Sequence, residues 1–321
     1  MEKEILIFGH KNPDTDSICS AMVKERLNKK NGHDNSVAVR LGNINKETQY
    51  VLNYLNLEAP ELKEEVAEGQ KVIMVDHNEF NQSIKGIEKA KILGVVDHHR
   101  IANFETSDPL YYTARPYGCT STILFQDFKG EGIEINREEA ILMASAIISD
   151  TLLLKSPTTT KHDEKALEEL EKIAGIDIKE YGLEMLKAGT DLDDFTAKEL
   201  INLDAKELDK NGIKFVIGQV NTVDIPSVLE RQEELEKAIK EELKEKGLAL
   251  FVLAITDILN SNSEILVLGE KSSVVENAFD KKLENNRAFL EGVVSRKKQL
   301  LPNIDKNITS YIFIDRWFFY V

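Results

Sequence analysis

GHKNPDTDS, at residues 9–17, marks the point where a short apolar run, EILIF at 4–8, gives way to a polar loop and then to a helical pattern over 17–30. The same change follows KVIMV at 71–75, where the chain reads VDHNE, and ILGVV at 92–96, where it reads VDHHR. Short β-branched runs that stop at polar residues predict buried strands. Strands that alternate with helices predict an α/β fold with a mostly parallel sheet, flanked by helices on both faces.

The rest of the chain predicts a second, smaller α/β domain. The further elements expected in the first domain are a strand over 37–41 and helices over 137–149, 161–172 and 181–188. A polar stretch, GTDLDD, then precedes strands over 214–220, 248–256 and 265–268 and helices over 228–246 and 273–283. We therefore predict an N-terminal domain over 1–188, a linker over 189–194 that serves as a hinge, a C-terminal domain over 195–309 and an atypical tail over 310–321.

Charge and composition exclude several classes of protein. The 321 residues include 41 Lys and Arg against 56 Asp and Glu, a net charge of −15 with a pI near 5.0, which argues against binding nucleic acid or an anionic membrane. No run approaches the roughly 18 apolar residues of a membrane span, and the N-terminus lacks a signal-peptide pattern. With Cys19 and Cys119 as its only cysteines, the chain is expected to be soluble and cytoplasmic, without a disulfide framework.

Histidines and aspartates follow the predicted strands or end an apolar segment, as Asp150 does after AILMASAIIS. Ligands of open parallel sheets bind outside the carboxyl ends of the strands, so these distant segments can meet at one crevice. Imidazole and carboxylate together suit Mn²⁺, Co²⁺ or Zn²⁺ better than Mg²⁺ alone. The sequence thus predicts a paired-metal site, and its candidate ligands are His10, Asp14, Asp16, Asp76, His98, His99 and Asp150.

Ordinary structural explanations compete with this interpretation for each residue taken alone. An aspartate after a strand is usually a helix cap, and His98–His99 alone would be polar packing. We assign His33 and His162 to structural roles and favour such a role for His77. The number of His and Asp residues at segment ends is what favours a metal site.

A second cluster, SRKKQ at 295–299, places three consecutive cations in an acidic chain. A solvated basic patch explains it as well as an anion site does when it is considered alone. Combined with a metal site, a cationic clamp for a small anion is the better explanation, since Arg offers a planar fork and Lys a point charge for phosphate oxygens.

In order and spacing, GHKNPDTDS, VDHNE, VDHHR and GVVSRKKQ resemble the family II (manganese-dependent) inorganic pyrophosphatases of the DHH phosphoesterase superfamily. The resemblance extends to about residue 302 and includes NLDAKEL at 202–208 and QVNTVDI at 219–225. Asp76 and Asp97 are only 21 positions apart, so the regulatory insert of some family members is absent.

The resemblance implies an enzyme that hydrolyses pyrophosphate to two phosphates by a metal-bridged hydroxide. It implies an active site in the cleft between a DHH-type domain and a DHHA2-like substrate-binding domain. Two Mn²⁺ or Co²⁺ ions per subunit, a Mg²⁺ ion that arrives with the substrate, and a homodimer formed through the N-terminal domain are also implied.

The resemblance also implies individual roles. The first metal ion would be bound by His10 and Asp14, the second by Asp16, His98 and Asp150, and both by Asp76, which would bridge them. Pyrophosphate would be bound by His99, Lys206, Arg296 and Lys297, which together with Asp14 form the implied catalytic set. Asp97 would orient a neighbouring group rather than bind metal.

Two rival functions and one departure stand beside this interpretation. A DHH-type nuclease or oligonucleotide phosphodiesterase would carry a GGGH motif, which the sequence lacks, and a non-catalytic metal or nucleotide sensor would not need the full ligand set. The tail SYIFIDRWFFYV at 310–321 departs from the family pattern. It is either a read-through or frameshift remnant or an added strand or oligomer contact.

Overall fold

The computed structural model describes residues 4–210 and 212–308, and the chain divides into two compact units between Gly189 and Thr190. The linker predicted over 189–194 begins at this division, where Gly189 is the last residue of a helix. The tail predicted over 310–321 lies outside the described residues. Within the described part of the chain, no helix is both long enough and apolar enough to cross a lipid bilayer.

The first unit is built on a six-stranded sheet. Its strands are β1 (Ile5–Phe8), β2 (Ser36–Arg40), β3 (Glu61–Leu62), β4 (Lys71–Val75), β5 (Lys91–Asp97) and β6 (Tyr111–Ala114). They lie in the order β3-β2-β1-β4-β5-β6, and each pairing is parallel, which confirms the predicted parallel sheet. The order reverses between β1 and β4, and the carboxyl edge at such a reversal is where ligands bind in open α/β sheets.

Six α-helices accompany this sheet in the described part of the first unit. They are α1 (Thr15–Lys30), α2 (Lys46–Leu55), α3 (Thr120–Glu131), α4 (Arg137–Thr151), α5 (Lys161–Ala174) and α6 (Ile178–Gly189). The helices predicted within 17–30, 137–149, 161–172 and 181–188 are confirmed, whereas α2, α3, β3 and β6 were not predicted. The connection over 83–90 contributes buried Ile84 and Ile87 to the core beside Phe8 and Met74.

The second unit is a five-stranded mixed sheet. Its strands are β7 (Ala205–Lys210), β8 (Ile213–Thr222), β9 (Leu250–Asp257), β10 (Asn262–Leu268) and β11 (Arg287–Leu290), in the order β11-β10-β9-β8-β7. Only β8 and β9 pair in parallel. Phe215 and Ile217 pack into one core cluster and Val216 and Val220 into another, as alternating side chains of a sheet covered on both faces do.

Four α-helices and a π-helical turn accompany this sheet. They are α7 (Ala197–Asn202), α8 (Ile225–Leu229), α9 (Gln232–Lys246), α10 (Ser273–Phe279) and the turn Arg296–Leu300, after which helical backbone continues over 301–308. The helix predicted over 228–246 is confirmed over 232–246, as α9, but it begins four residues later than predicted, because α8 ends before α9 begins. Pro226 starts α8, and the Arg231 side chain at the break donates to the carbonyls of Leu192 and Phe195. Neither α7, β7 nor β11 was predicted.

Candidate metal centre

The carboxyl edge of the first sheet brings the predicted ligands together. His10 follows β1, Asp76 follows β4, and His98 follows β5. Asp14 caps α1, where its Oδ1 accepts from the Ser17 N–H at 2.9 Å. Asp16 lies in the first turn of the same helix, and Asp150 lies in the last turn of α4. Elements more than a hundred residues apart thus present imidazole and carboxylate groups at one site.

Three sets of potential ligand atoms each lie within 4.8 Å of one another. The sets are His10 with Asp14 and Asp76, Asp16 with Asp76, His98 and Asp150, and Asp76 with His98 and His99. The first two sets have the composition that the family resemblance implies for two metal ions. That each residue binds a metal stays a prediction.

Asp76 belongs to all three sets and offers a different oxygen to each side. Its Oδ2 lies 3.5 Å from His10 Nε2, whereas its Oδ1 lies 3.4 Å from His98 Nε2. Two hydroxyls hold the carboxylate in this orientation: Ser17 Oγ donates to Oδ2 at 2.7 Å and Thr120 Oγ1 to Oδ1 at 3.1 Å. The backbone of Asp76 has φ of 59°, a left-handed conformation that aspartate tolerates better than most residues.

Asp16 is held by the N-terminus of α3. The N–H groups of Thr120 and Ser121 donate to its carboxylate at 2.7 and 3.3 Å, and Ser20 Oγ donates at 2.6 Å. Free N–H groups and the helix dipole make such a terminus favourable for an anion. Roles for Ser17, Thr120 and Ser121 were not predicted from the sequence. The β-branched residues of TSTI at 120–123 do not favour a helix, so α3 was not predicted, although a start rich in hydroxyls is typical of a helix N-terminus.

The electrostatics of this cluster favour a cation. Burial and the nearby charge of Asp16 raise the pKa of Asp76 to about 7. Burial and the same neighbour also raise the pKa of Asp150 well above its usual range. Burial lowers the pKa of His98, but a hydrogen bond to Asp76 and the charge of Asp16 outweigh this and raise it to about 9. Carboxylates that disfavour one another's ionisation, interleaved with imidazoles, fit divalent cations that prefer mixed nitrogen and oxygen ligands.

The segment after β5 also presents His99, whose side chain is 52% exposed. Its ring Nδ1 lies 3.0 Å from Asp97 Oδ1, and its backbone N–H donates to the same oxygen at 3.0 Å. Asp97 is fully buried, and its other oxygen accepts from Asn78 at 2.6 Å. Asp97 therefore fixes the orientation of the His99 ring.

His77 directly follows Asp76 at this edge of the sheet. It is buried beside Phe8, its Nδ1 lies 2.9 Å from the Val75 carbonyl, and it lines a pocket of about 270 Å³ with His10, Asp76 and His99. It belongs to none of the three ligand sets among the described residues. His162, assigned a structural role, stacks on Tyr117.

The predicted phosphate-binding cations of the second unit lie on β7 and on the π-helical turn. Lys206 is exposed on β7, and Lys297 is exposed next to Arg296. The Arg296 guanidinium pairs with the Asp204 carboxylate at 2.9 Å. Gln219 of β8 accepts from the Arg296 N–H at 3.0 Å and donates to the Val294 carbonyl at 3.0 Å. π-Helical turns often occur at functional sites.

Two family models match the chain, the DHH family N-terminal domain over residues 4–147 and the DHHA2 domain over 183–307. These two matches, the parallel sheet and the His–Asp cluster at its carboxyl edge define a protein of the DHH family.

Individual relatives narrow this class. A manganese-dependent inorganic pyrophosphatase of Bacillus subtilis (strain 168) is 57% identical over 303 residues, which cover 94% of this chain and 97% of the relative. A probable manganese-dependent inorganic pyrophosphatase of Staphylococcus carnosus is 57% identical over 298 residues, or 93% of this chain and 97% of the relative. A crystal structure of a Methanococcus jannaschii protein assigned to family II inorganic pyrophosphatases superposes with a TM-score of 0.60 at 41% identity, covering 94% of this chain and 99% of that one. The chain belongs to the family II, manganese-dependent inorganic pyrophosphatases.

Proposed function

We propose that this protein hydrolyses inorganic pyrophosphate to two phosphates at the metal centre of the first unit. One observation carries the proposal: the two carboxylate oxygens of Asp76 face different histidines. Its Oδ2 faces His10 and its Oδ1 faces His98. A carboxylate in this position can bridge two cations about 3.5–4 Å apart, the arrangement of two-metal phosphoryl-transfer sites. The names of the relatives support Mn²⁺ as the cation and pyrophosphate as the substrate.

In this proposal the ligands divide into two sets. His10 and Asp14 would hold the first cation, Asp16, His98 and Asp150 would hold the second, and Asp76 would bind both. Bound Mn²⁺ or Co²⁺ would lower the pKa of a coordinated water and so supply hydroxide near neutral pH. Ser17 and Thr120 hold the shared carboxylate, so that its two oxygens keep their separate directions. Asp14 would bind the first cation and also caps α1, so the start of this helix would be held next to that cation.

The cationic side chains act on the substrate. We propose that His99, Lys206, Arg296 and Lys297 bind pyrophosphate oxygens, with a Mg²⁺ ion carried by the substrate. Arg296 and the two lysines would take up the negative charge that develops on the leaving phosphate, as preorganised cations do in phosphoryl transfer. Asp97 supports His99 in this role, because it binds both the ring and the backbone N–H of that residue.

We also propose that the protein is a homodimer formed through the first unit. β6 is an edge strand of the parallel sheet, and its Tyr111 is 88% exposed, near Ile101 in sequence, which is 59% exposed. Open strand edges of this kind pair readily with another chain. Sedimentation equilibrium at micromolar concentration should give twice the chain mass, and a monomer mass would contradict the proposal.

Phosphate release from pyrophosphate tests the function. The protein is stripped of metal and then supplied with Mn²⁺, Co²⁺ or Mg²⁺, with an oligonucleotide and a nitrophenyl phosphate diester as parallel substrates. We expect fast release with Mn²⁺ or Co²⁺, abolished in Asp76→Ala and strongly reduced in Arg296→Ala. Cleavage of a diester without pyrophosphate hydrolysis would replace the proposal with a DHH-type nuclease.

A further inference from the structure

Glu47, a residue outside the proposed ligand set, joins the two segments that deliver the aspartates. It lies in the first turn of α2 and is half-buried. Its Oε1 accepts from Thr15 Oγ1 at 2.6 Å and from Ser149 Oγ at 2.5 Å. Thr15 stands between Asp14 and Asp16, and Ser149 directly precedes Asp150. One oxygen atom therefore ties the start of α1 to the end of α4.

The same side chain contacts the end of the first unit. A Cβ atom added to Gly189, the last residue of α6, would lie 2.9 Å from Glu47 Cβ and 2.9 Å from its Oε2. The chain can approach Glu47 this closely only because residue 189 has no side chain. Glu47 is thus enclosed by α1, α4 and α6 rather than extended into solvent.

A packing role alone does not explain a carboxylate here. Burial raises the pKa of Glu47 and the charge of Asp14 raises it further, against the two hydroxyl donors that lower it. The site already holds four aspartates, so a fifth acid adds repulsion that a neutral side chain would avoid. What the carboxylate provides is one strong acceptor with room for two donors, each adjacent to a metal ligand.

We propose that Glu47 is a positioning residue of the metal centre, which fixes the distance between the Asp14–Asp16 segment and Asp150 by binding Thr15 and Ser149 through a single oxygen. The inference rests on the proposed metal centre. Groups that orient metal ligands typically change metal affinity about 10- to 100-fold when removed. Glu47 does not contact the ligands directly. It hydrogen-bonds to Thr15 and Ser149, the residues next to the ligands in sequence, and it is not itself a proposed metal ligand.

Mn²⁺ affinity of the metal-stripped, full-length protein tests this inference by isothermal titration calorimetry. Glu47→Ala should weaken binding of at least one Mn²⁺ ion about 10-fold or more. Glu47→Gln keeps an acceptor oxygen for both hydroxyls, although a weaker one than the carboxylate, and should recover a substantial part of the affinity that Glu47→Ala loses. Thr15→Val combined with Ser149→Ala, which retains Glu47 but removes both donors, should reproduce the loss and serves if Glu47→Ala does not fold.

Glu139→Ala is the matched control. Glu139 is a fully buried glutamate at the opposite end of α4, where it completes a capping box and pairs with Lys30. Its removal should lower thermal stability and leave Mn²⁺ affinity unchanged. Unchanged Mn²⁺ affinity in Glu47→Ala, or an equal loss in Glu139→Ala, would overturn the inference while leaving the proposed function intact. Failure of the unsubstituted protein to bind Mn²⁺ would overturn both.

Discussion

The backbone N–H of Thr120 donates to Asp16 Oδ2 over 2.7 Å, although the two residues are 104 positions apart. The Thr120 hydroxyl donates at the same time to Asp76. The first residue of α3 therefore contacts one candidate ligand of the second metal position and the candidate bridge. The start of this helix thus contacts the candidate metal centre through a residue more than forty positions away from the ligands that it holds.

The Thr120 hydroxyl should contribute to metal affinity. Thr120→Val keeps the shape of the side chain and the N–H bond to Asp16 but removes the donor to Asp76 Oδ1. We expect Mn²⁺ affinity to fall about 10-fold, with Thr120→Ser close to the unsubstituted protein. Thr122→Val is the control, because the Thr122 hydroxyl, on the same helix, donates to Asp163 instead. An equal loss of affinity in the control would contradict the prediction.

Gly9 should be required at the end of β1. A Cβ atom there would lie 2.5 Å from the Ser17 Cβ and 2.8 Å from its Cα, so α1 or the strand must move. Since Ser17 holds Asp76, we expect Gly9→Ala to weaken Mn²⁺ binding and to lower the free energy of unfolding by about 1–3 kcal/mol.

Gly130 provides the comparison for that substitution. It lies in α3, and an added Cβ would meet nothing within 4 Å. Gly130→Ala should raise the free energy of unfolding by about 0.5–1 kcal/mol, since alanine favours a helix, and leave metal binding unchanged. Calorimetric titration and urea unfolding of both variants check the pair. Normal Mn²⁺ affinity in Gly9→Ala would show that the close approach is not needed for the site.

The site residues that can be predicted from the sequence are those that follow a recognisable strand. Asp76 follows an apolar run directly, and His10 and His98 follow such runs one residue later, so strand periodicity finds them. Thr120 and Glu47 have no such mark, because hydroxyls and acids in first helical turns are common caps. Their partners lie 44 and 32 positions away, at distances that only the tertiary fold sets. The break before α9 was missed for the same reason, since Arg231 bonds to carbonyls far along the chain.

Gln219 should control substrate binding without affecting the metals. Its side chain holds the Arg296 N–H and the Val294 carbonyl, and thereby the start of the cationic turn. Gln219→Leu removes both hydrogen bonds, each worth about 0.5–1.5 kcal/mol. We expect KM for pyrophosphate to rise roughly 10-fold, with Mn²⁺ affinity unchanged.

A glutamine elsewhere in the second unit serves as the control for this prediction. Gln232 bonds to Glu236 and to the Asn285 carbonyl, not to the cationic turn. Gln232→Leu should leave KM unaltered. Steady-state kinetics at saturating Mn²⁺ separates KM from kcat. A normal KM in Gln219→Leu would argue against a role of this turn in substrate binding.

Metal binding should stabilise the first unit by relieving repulsion among its carboxylates. Saturation at about 100 times Kd contributes about 2.7 kcal/mol per site, and each kcal/mol raises Tm by roughly 2–4 °C in a unit of this size. Mn²⁺ should therefore raise Tm of the metal-stripped protein. Asp76→Asn should abolish that rise. Its metal-free Tm should equal or exceed that of the unsubstituted protein, because a buried charge beside Asp16 and Asp150 is removed while an acceptor oxygen remains.

Asp257→Asn is the control for Asp76→Asn, because it also replaces an aspartate at the end of a strand but lies outside the proposed metal centre. Asp257 ends β9 in the second unit and accepts from the Leu259 N–H at 2.9 Å. The variant should keep the full Mn²⁺-dependent rise in Tm, measured by circular dichroism with and without chelator. If Asp76→Asn were less stable than the unsubstituted protein without metal and still gained stability from Mn²⁺, Asp76 would be a structural hydrogen-bond acceptor and not the residue that the two cations share.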